Sequence, residues 1–185
     1  MFIIGITGTI GAGKGTIVDY ITSNFDFQHL SVRQFLIDKL SAENRAINRD
    51  TMVEMANSLR EKYSPSYIID CLYEQALKSK KNTIIESIRT PGEVYSLKEK
   101  GEFMLFSVDA DPKIRYDRIV LRNSETDHIA YEVFLENEKR EMSSDNPNHQ
   151  NLKKCIELSD YKFNNDGSIE DLHQRVKEVL LEIKI

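Results

Sequence analysis

Apolar residues along this chain fall into two alternating patterns. Short, nearly continuous runs of strand length occupy positions 2–7 (FIIGIT), 27–31 (FQHLS), 82–87 (NTIIES), 103–110 (FMLFSVDA) and 161–165 (YKFNN). Between them lie longer stretches with helical spacing and recognisable helix starts. Ser64 and Pro65 precede SYIIDCLYEQAL, Thr90 and Glu93 form a capping box around Pro91, and Asp111 and Pro112 precede KIRYDRIVLR. Strands separated by helices predict parallel βαβ units with right-handed crossovers. The expected fold class is therefore α/β, with a five-stranded parallel sheet covered on both faces and ligands at the carboxyl ends of the strands.

One polar stretch interrupts the alternation. Residues 123–147 begin with NSETDH and carry the charged helical pattern YEVFLENEKREM, an excursion from the sheet. The whole length of 185 residues suits a single domain, residues 1–185, without internal repeat or low-complexity linker.

Charge and composition then exclude several classes. The chain has 30 acidic and 25 basic residues and a net charge of -5, with no block of lysine and arginine to track nucleic acid or anionic lipid. Its N-terminal apolar run is short and flows into glycines rather than a cleavage site, and no segment approaches the ~18 apolar residues of a membrane span. A soluble, cytoplasmic protein without nucleic-acid or membrane partners is expected. Cys71 and Cys155 lack metal-ligand spacing and lie among apolar neighbours, so both read as reduced packing residues.

The stretch GTIGAGKGT, positions 8–16, carries the chemistry. It contains G-x-x-x-x-G-K through Gly8, Gly13 and Lys14, directly after a strand and at the start of a helix. Glycines allow backbone N–H groups to turn inward around a phosphate. Those amides, the positive end of the next helix and the Lys14 ammonium then converge on one anion. Gly15 follows the lysine, and the hydroxyl usual in such loops arrives one residue later, at Thr16.

The full string G-x-x-G-x-G-K-G-T resembles the phosphate loop of adenylate kinases and related nucleoside monophosphate kinases. That resemblance implies a P-loop NTPase fold, three layers α/β/α with a short helical lid, and ATP with Mg²⁺ as cofactors. Gly8, Gly11, Ala12, Gly13, Lys14, Gly15 and Thr16 would hold ATP, Thr16 also touching the metal. IIESIRTPGE resembles the D-G-x-P-R-T segment of adenylate kinases and the D-G-I-R segment of archaeal adenylate-kinase-related proteins of unassigned function. By that likeness Arg89 would grip the acceptor's phosphate, and Glu86, where the family has aspartate, would order Mg²⁺.

Arg118 and Arg122, four apart on one helical face, resemble the R-x-x-x-R that flanks the adenylate kinase lid. Arg118 would stack on the donor base and Arg122 would reach the phosphates. Arg115 could join that face, and Arg140 would return from a lid at 123–147 toward the transferring group. The lid lacks the family's metal-binding cysteines, so no zinc is expected. SDYKFNNDGSIEDL resembles the ending shared by dephospho-coenzyme A kinases and the archaeal proteins. Asn165 and Gly167 would lie against the donor base, and Ser168 would cap the last helix.

Resemblance is weak between Ser41 and Ser79, and the acceptor-binding helices are expected over residues 41–80. HLSVRQFL lacks the aspartate that a hydroxyl acceptor would use as a base, whereas Ser31 and Arg33 suit an ionised phosphate. Arg33, Arg60 and Arg89 could cradle a nucleoside monophosphate, with Arg49 contributing; Arg60 could equally form a surface ion pair. The implied activity is phosphoryl transfer from ATP to a small-molecule phosphate acceptor, a nucleoside or deoxynucleoside monophosphate. Glu86 as a base would instead fit a dephospho-coenzyme A kinase, and an ATPase module of regulatory role is the alternative outside small-molecule kinases.

Overall fold

All five expected strands form. In the computed structural model, which describes residues 1–122 and 129–185, they are β1 (Ile3–Gly8), β2 (Phe27–Ser31), β3 (Asn82–Glu86), β4 (Phe103–Asp109) and β5 (Tyr161–Asn164). They make one parallel sheet in the order β2-β3-β1-β4-β5. Around it lie α1 (Lys14–Asn24), α2 (Val32–Ala42), α3 (Arg49–Lys62), α4 (Tyr67–Ser79), α5 (Pro91–Lys100), α6 (Pro112–Arg122), α7 (Tyr131–Met142), α8 (Leu152–Glu157) and α9 (Ile169–Glu182).

The strands read as continuous apolar runs because both faces are covered. Alternate side chains point to opposite sides. Ile3, Ile85 and Leu105 join a cluster with α2, α3, α4, α5 and α8, while Ile4, Ile84 and Phe106 join a second cluster with α1 and α9. Burying one such side chain contributes roughly 1.5–3 kcal/mol, so the two clusters fix the register of every central strand. Gly5 has no room for a side chain, since a Cβ there would lie 2.6 Å from Ile88 Cδ1 and 2.7 Å from the Phe103 ring.

Helix starts follow local chemistry. Thr90 accepts from the Glu93 N–H and Glu93 answers to the Thr90 N–H, and Ser168 and Asp171 form the same box at α9. The expected start at Ser64 and Pro65 moves to Tyr67. Ser66 Oγ donates to Asp70 Oδ2 at 2.7 Å, and Pro65 stays outside the helix, its carbonyl accepting from Thr90 Oγ1 at 3.2 Å.

Parallel pairing brings all carboxyl ends to one edge of the sheet. The chain leaves β1 toward β2 on one side and, after β3, crosses to β4 on the other, so the order reverses beside β1. A crevice opens at such a switch point. Gly8, Ser31, Glu86, Asp109 and Asn164 end the five strands along that edge. No helix among the described residues is long and apolar enough to cross a membrane. Cys71 and Cys155 are free thiols, Cys155 buried against α5, and burial pushes its thiol up.

Candidate active site

In the loop from β1 to α1 the Ala12 N–H donates to the Thr9 carbonyl at 3.4 Å. Gly13 occupies the N-cap of α1 with φ 104°, in the left-handed region, and no side chain caps the helix, whose first turn carries no acidic residue. The positive end of α1 therefore faces the loop without an internal anion. Gly11, at φ 76°, lies so close to α6 that a Cβ would approach the Arg115 carbonyl oxygen to 2.5 Å. Gly8 lies equally close to the backbone of Val108, whereas Gly15 is open to its surroundings and Thr16 is half-buried one residue on.

Lys14 Nζ donates to the carbonyl oxygens of Gly8 (3.0 Å) and Thr9 (2.8 Å). Burial, and after it the neighbouring Arg89, bring its ammonium down to about 8 despite Glu86 and Glu141. Thr9 Oγ1 donates to Asp109 Oδ1 at 2.6 Å, tying the loop to the end of β4.

Beside the loop lies a cavity of about 360 Å³. Lys14, Glu86, Arg89, Arg49 and Arg122 make its polar side, and Val32, Leu36, Met52, Val53 and Ala56 its apolar wall. Glu86 accepts from Ser87 Oγ (2.8 Å) and Ser31 Oγ (3.3 Å), with the His29 ring 3.8 Å away. Burial alone would raise its carboxyl, but His29, Lys14 and Ser87 outweigh burial and hold it down to about 2. Ser31 also caps α2, accepting from the Gln34 N–H. Arg33 lies exposed at the rim.

Two residues that sequence reasoning passed over complete the polar side. Glu141, in the last turn of α7, is buried between Arg49 and Arg89; Arg89 Nη1 reaches its Oε2 at 2.5 Å and Arg49 Nη2 its Oε1. Burial raises its carboxyl, and the two guanidiniums more than reverse this. Gln150 Oε1 accepts from Arg89 Nη1 at 3.0 Å. Neither residue carries a local sequence signal, since their arginine partners lie 52 to 92 positions away in the chain.

Several expected residues find other roles. Arg60 is no surface pair. It is 1% exposed, and its Nε and Nη2 donate to Glu93 Oε1 at 3.1 and 2.8 Å, while it still lines the cavity. Arg115 is buried as a strut: it forks Glu138 at 2.6 and 2.9 Å and donates to the carbonyls of Ala110 and Ile10, pinning α7 to the phosphate loop. Arg140 does not reach the cavity; its Nη2 sits 3.3 Å from Asp50 Oδ1 at the surface. Arg118 is half-buried on α6 and is not among the cavity's lining residues. Asn165 Nδ2 donates to the Ala12 carbonyl at 2.8 Å, so the loop after β5 clamps the phosphate loop, with Gly167 exposed beyond it. Within the expected lid, residues 123–128 lie outside the described residues. The apolar wall of the cavity comes from α2 and α3, while α4 packs in the core with α5.

Fold and site together define a P-loop protein with a kinase-like architecture. Residues 4–144 match a family model described as AAA domain, and the chain belongs to that family. Full-length relatives are UPF0200 proteins. One from Methanothermobacter thermautotrophicus is 30% identical over 185 residues, covering 99% of this chain and 91% of its own. One from Methanocaldococcus jannaschii is 28% identical over 186 residues, with the same two coverages, 99% and 91%. Their name specifies neither an activity nor a substrate. Among solved structures, TT1252 from Thermus thermophilus superposes with a TM-score of 0.63 at 20% identity, covering 98% of this chain and 97% of its own. Shikimate kinase from Bacteroides thetaiotaomicron follows with a TM-score of 0.59 at 14% identity, covering 97% and 98%. At these identities the shared property is the fold.

Proposed function

We propose that this protein is an ATP-dependent kinase whose acceptor is a nucleoside or deoxynucleoside monophosphate. The observation that carries the reading is one cavity lined together by Lys14, the phosphate loop, Arg49, Arg60, Arg89 and an apolar wall. One side suits a donor's phosphates and the other a phosphate joined to an apolar, ring-sized group. The uncapped α1 and the glycine cradle fit a nucleotide's phosphates. Thr16 and the ionised Glu86 fit the hard, oxygen-seeking Mg²⁺. When bound, ATP would supply the phosphoryl group and Mg²⁺ would offset its charge.

The chain's own residues do the positioning. The loop amides and Lys14 hold the donor in line, Arg89 and Arg49 orient the acceptor's phosphate, and Arg122 reaches over from α6. Arg33 guards the rim, and α7 forms the described part of a lid that excludes water. Asn165 keeps the phosphate loop in shape where Arg118 and Gly167 border the donor side.

Glu86 weighs against a hydroxyl acceptor, as in a dephospho-coenzyme A kinase. A carboxylate titrating at about 2 is a poor general base near neutral pH, whereas an ionised phosphate needs none. The test is a screen of nucleoside monophosphates, dephospho-coenzyme A and water with labelled ATP, following the label into product. Label in a nucleoside diphosphate supports the proposal. Label only in coenzyme A, or only in inorganic phosphate at a rate that no acceptor changes, overturns it.

A further inference from the structure

The arginines on the acceptor side are not idle. Arg49 and Arg89 each spend a guanidinium edge on one oxygen of Glu141, and Arg89 also reaches Gln150. On the arginines that line the cavity, Nε of Arg49 and Nη1 of Arg60 are buried without a partner among the described residues, as is Nη1 of Arg118 outside it. Arg60 is 1% exposed, and a buried guanidinium N–H left unsatisfied is costly. A carboxylate has two oxygens, one for each arginine it already meets. A phosphate monoester has three terminal oxygens and a second charge, enough to take both arginines and the donors that Glu141 leaves unserved.

Where Glu141 sits sharpens the point. It is the next-to-last residue of α7, at the negative end of the helix dipole, where a carboxylate is unfavourable. What holds it is the pair of arginines. Two further attachments of α7 lie earlier in the helix, through the buried Phe134 and through Glu138 on Arg115, and beside Glu141 the exposed Arg140 reaches Asp50 of α3 at 3.3 Å. Releasing Glu141 would therefore leave the last turn of α7 tied to α3 through the exposed Arg140 and Asp50, a weak surface pair, with the earlier turns still in place.

We infer that the Glu141 carboxylate is an internal occupant of an anion seat formed by Arg49, Arg60 and Arg89, which the acceptor's phosphate takes over by displacing it. The inference rests on the proposed acceptor side of the cavity and adds a consequence for it. Acceptor binding unlatches Glu141 from Arg49 of α3 and from Arg89 in the loop after β3, so only a ligand with more charge and more oxygens than a carboxylate opens the latch. Glu141 is thus a specificity-determining residue, screening dianionic phosphates from carboxylates.

The probe is inorganic phosphate, titrated by calorimetry into the full chain with its phosphate loop filled by saturating ADP and Mg²⁺. Glu141→Gln keeps the shape and removes the competing charge. It should bind phosphate more tightly than the natural chain, roughly tenfold to a hundredfold for one charge-assisted contact no longer opposed. In the double variant Glu141→Gln, Arg89→Ala that gain should vanish. If Glu141 instead orients the arginines for the ligand, Glu141→Gln binds phosphate more weakly, and the inference is overturned; equal binding, or none in either protein, also overturns it. A second measurement needs no variant: phosphate should speed amide exchange in the last turn of α7, and unchanged or slower exchange there counts against the latch. Neither readout depends on turnover. A chain that shows both effects yet transfers phosphate to no monophosphate keeps the seat and loses the kinase reading, and the reverse outcome does the opposite.

Discussion

Asn165 and Ala12, 153 positions apart in the chain, meet through a 2.8 Å hydrogen bond from Asn165 Nδ2 to the Ala12 carbonyl. Asn165 is 4% exposed, and a Cβ on Gly13 would collide with the same amide. The loop after β5 thus holds the phosphate loop in register with the end of the sheet. Asn165→Ala leaves a buried carbonyl unpaired, a loss of about 1–3 kcal/mol in stability. Donor nucleotide affinity should fall with it, while acceptor affinity stays close to normal. Chemical denaturation and nucleotide titration of the same variant check both parts.

Lys14→Ala should cut transfer sharply without unfolding the protein. The folded chain lowers this ammonium from 10.5 to about 8, so at neutral pH it carries the charge against burial, and removing it relieves that cost. The melting temperature should hold or rise. Turnover should drop roughly 10²-fold or more, as for loss of a main electrostatic contact to the transferring group. Near-normal turnover in a folded variant would remove Lys14 from the chemistry.

Arg89→Ala should weaken the acceptor far more than ATP, by about 1.5–3 kcal/mol for a lost charge-assisted contact, tenfold to a hundredfold in affinity. Arg33→Ala should act in the same direction but less, because Arg33 stands exposed at the cavity rim. Acceptor and donor affinities measured side by side decide it; equal loss for both ligands would show that Arg89 supports the fold of the site instead.

The Arg60 and Glu93 pair sits at 1% and 0% exposure. Arg60→Met strands a buried carboxylate and should cost about 3–5 kcal/mol. Glu93 keeps the N–H groups of Arg89 and Thr90 as donors, so adding Glu93→Gln to Arg60→Met should return part of that loss. Denaturant unfolding of the single and double variants provides the comparison. A loss below about 1 kcal/mol in Arg60→Met would show that water reaches the pair.

Glu86 makes stability fall in acid. Its carboxyl is lowered from 4.5 to about 2, so its contribution is complete above pH 4.5 and is lost as pH falls through about 2. In that window the unfolded chain takes up a proton that the folded one refuses. The stability difference between the natural chain and Glu86→Gln should therefore shrink steadily from pH 5 toward pH 2. A constant difference across that range would mean that Glu86 is not held ionised.

Local physics was legible from the chain itself. Period-two burial on two covered faces gave strand-length apolar runs, and all five strands lie where those runs are. The glycines and lysine of positions 8–16 imply an anion cradle because their constraint lies within nine consecutive residues. The capping boxes at Thr90 and Ser168 are local in the same way. What only the tertiary structure decided is the pairing of charges. Arg60, Arg89, Arg115 and Arg140 carry the same side chain, yet one is buried on Glu93, one faces the cavity with Glu141, one props α7 against the phosphate loop, and one lies on the surface near Asp50. A guanidinium's role is set by which carboxylate the fold brings within hydrogen-bond reach and how much water it excludes there. Glu141 meets Arg89 from 52 positions away and Arg49 from 92, separations at which sequence spacing carries no signal.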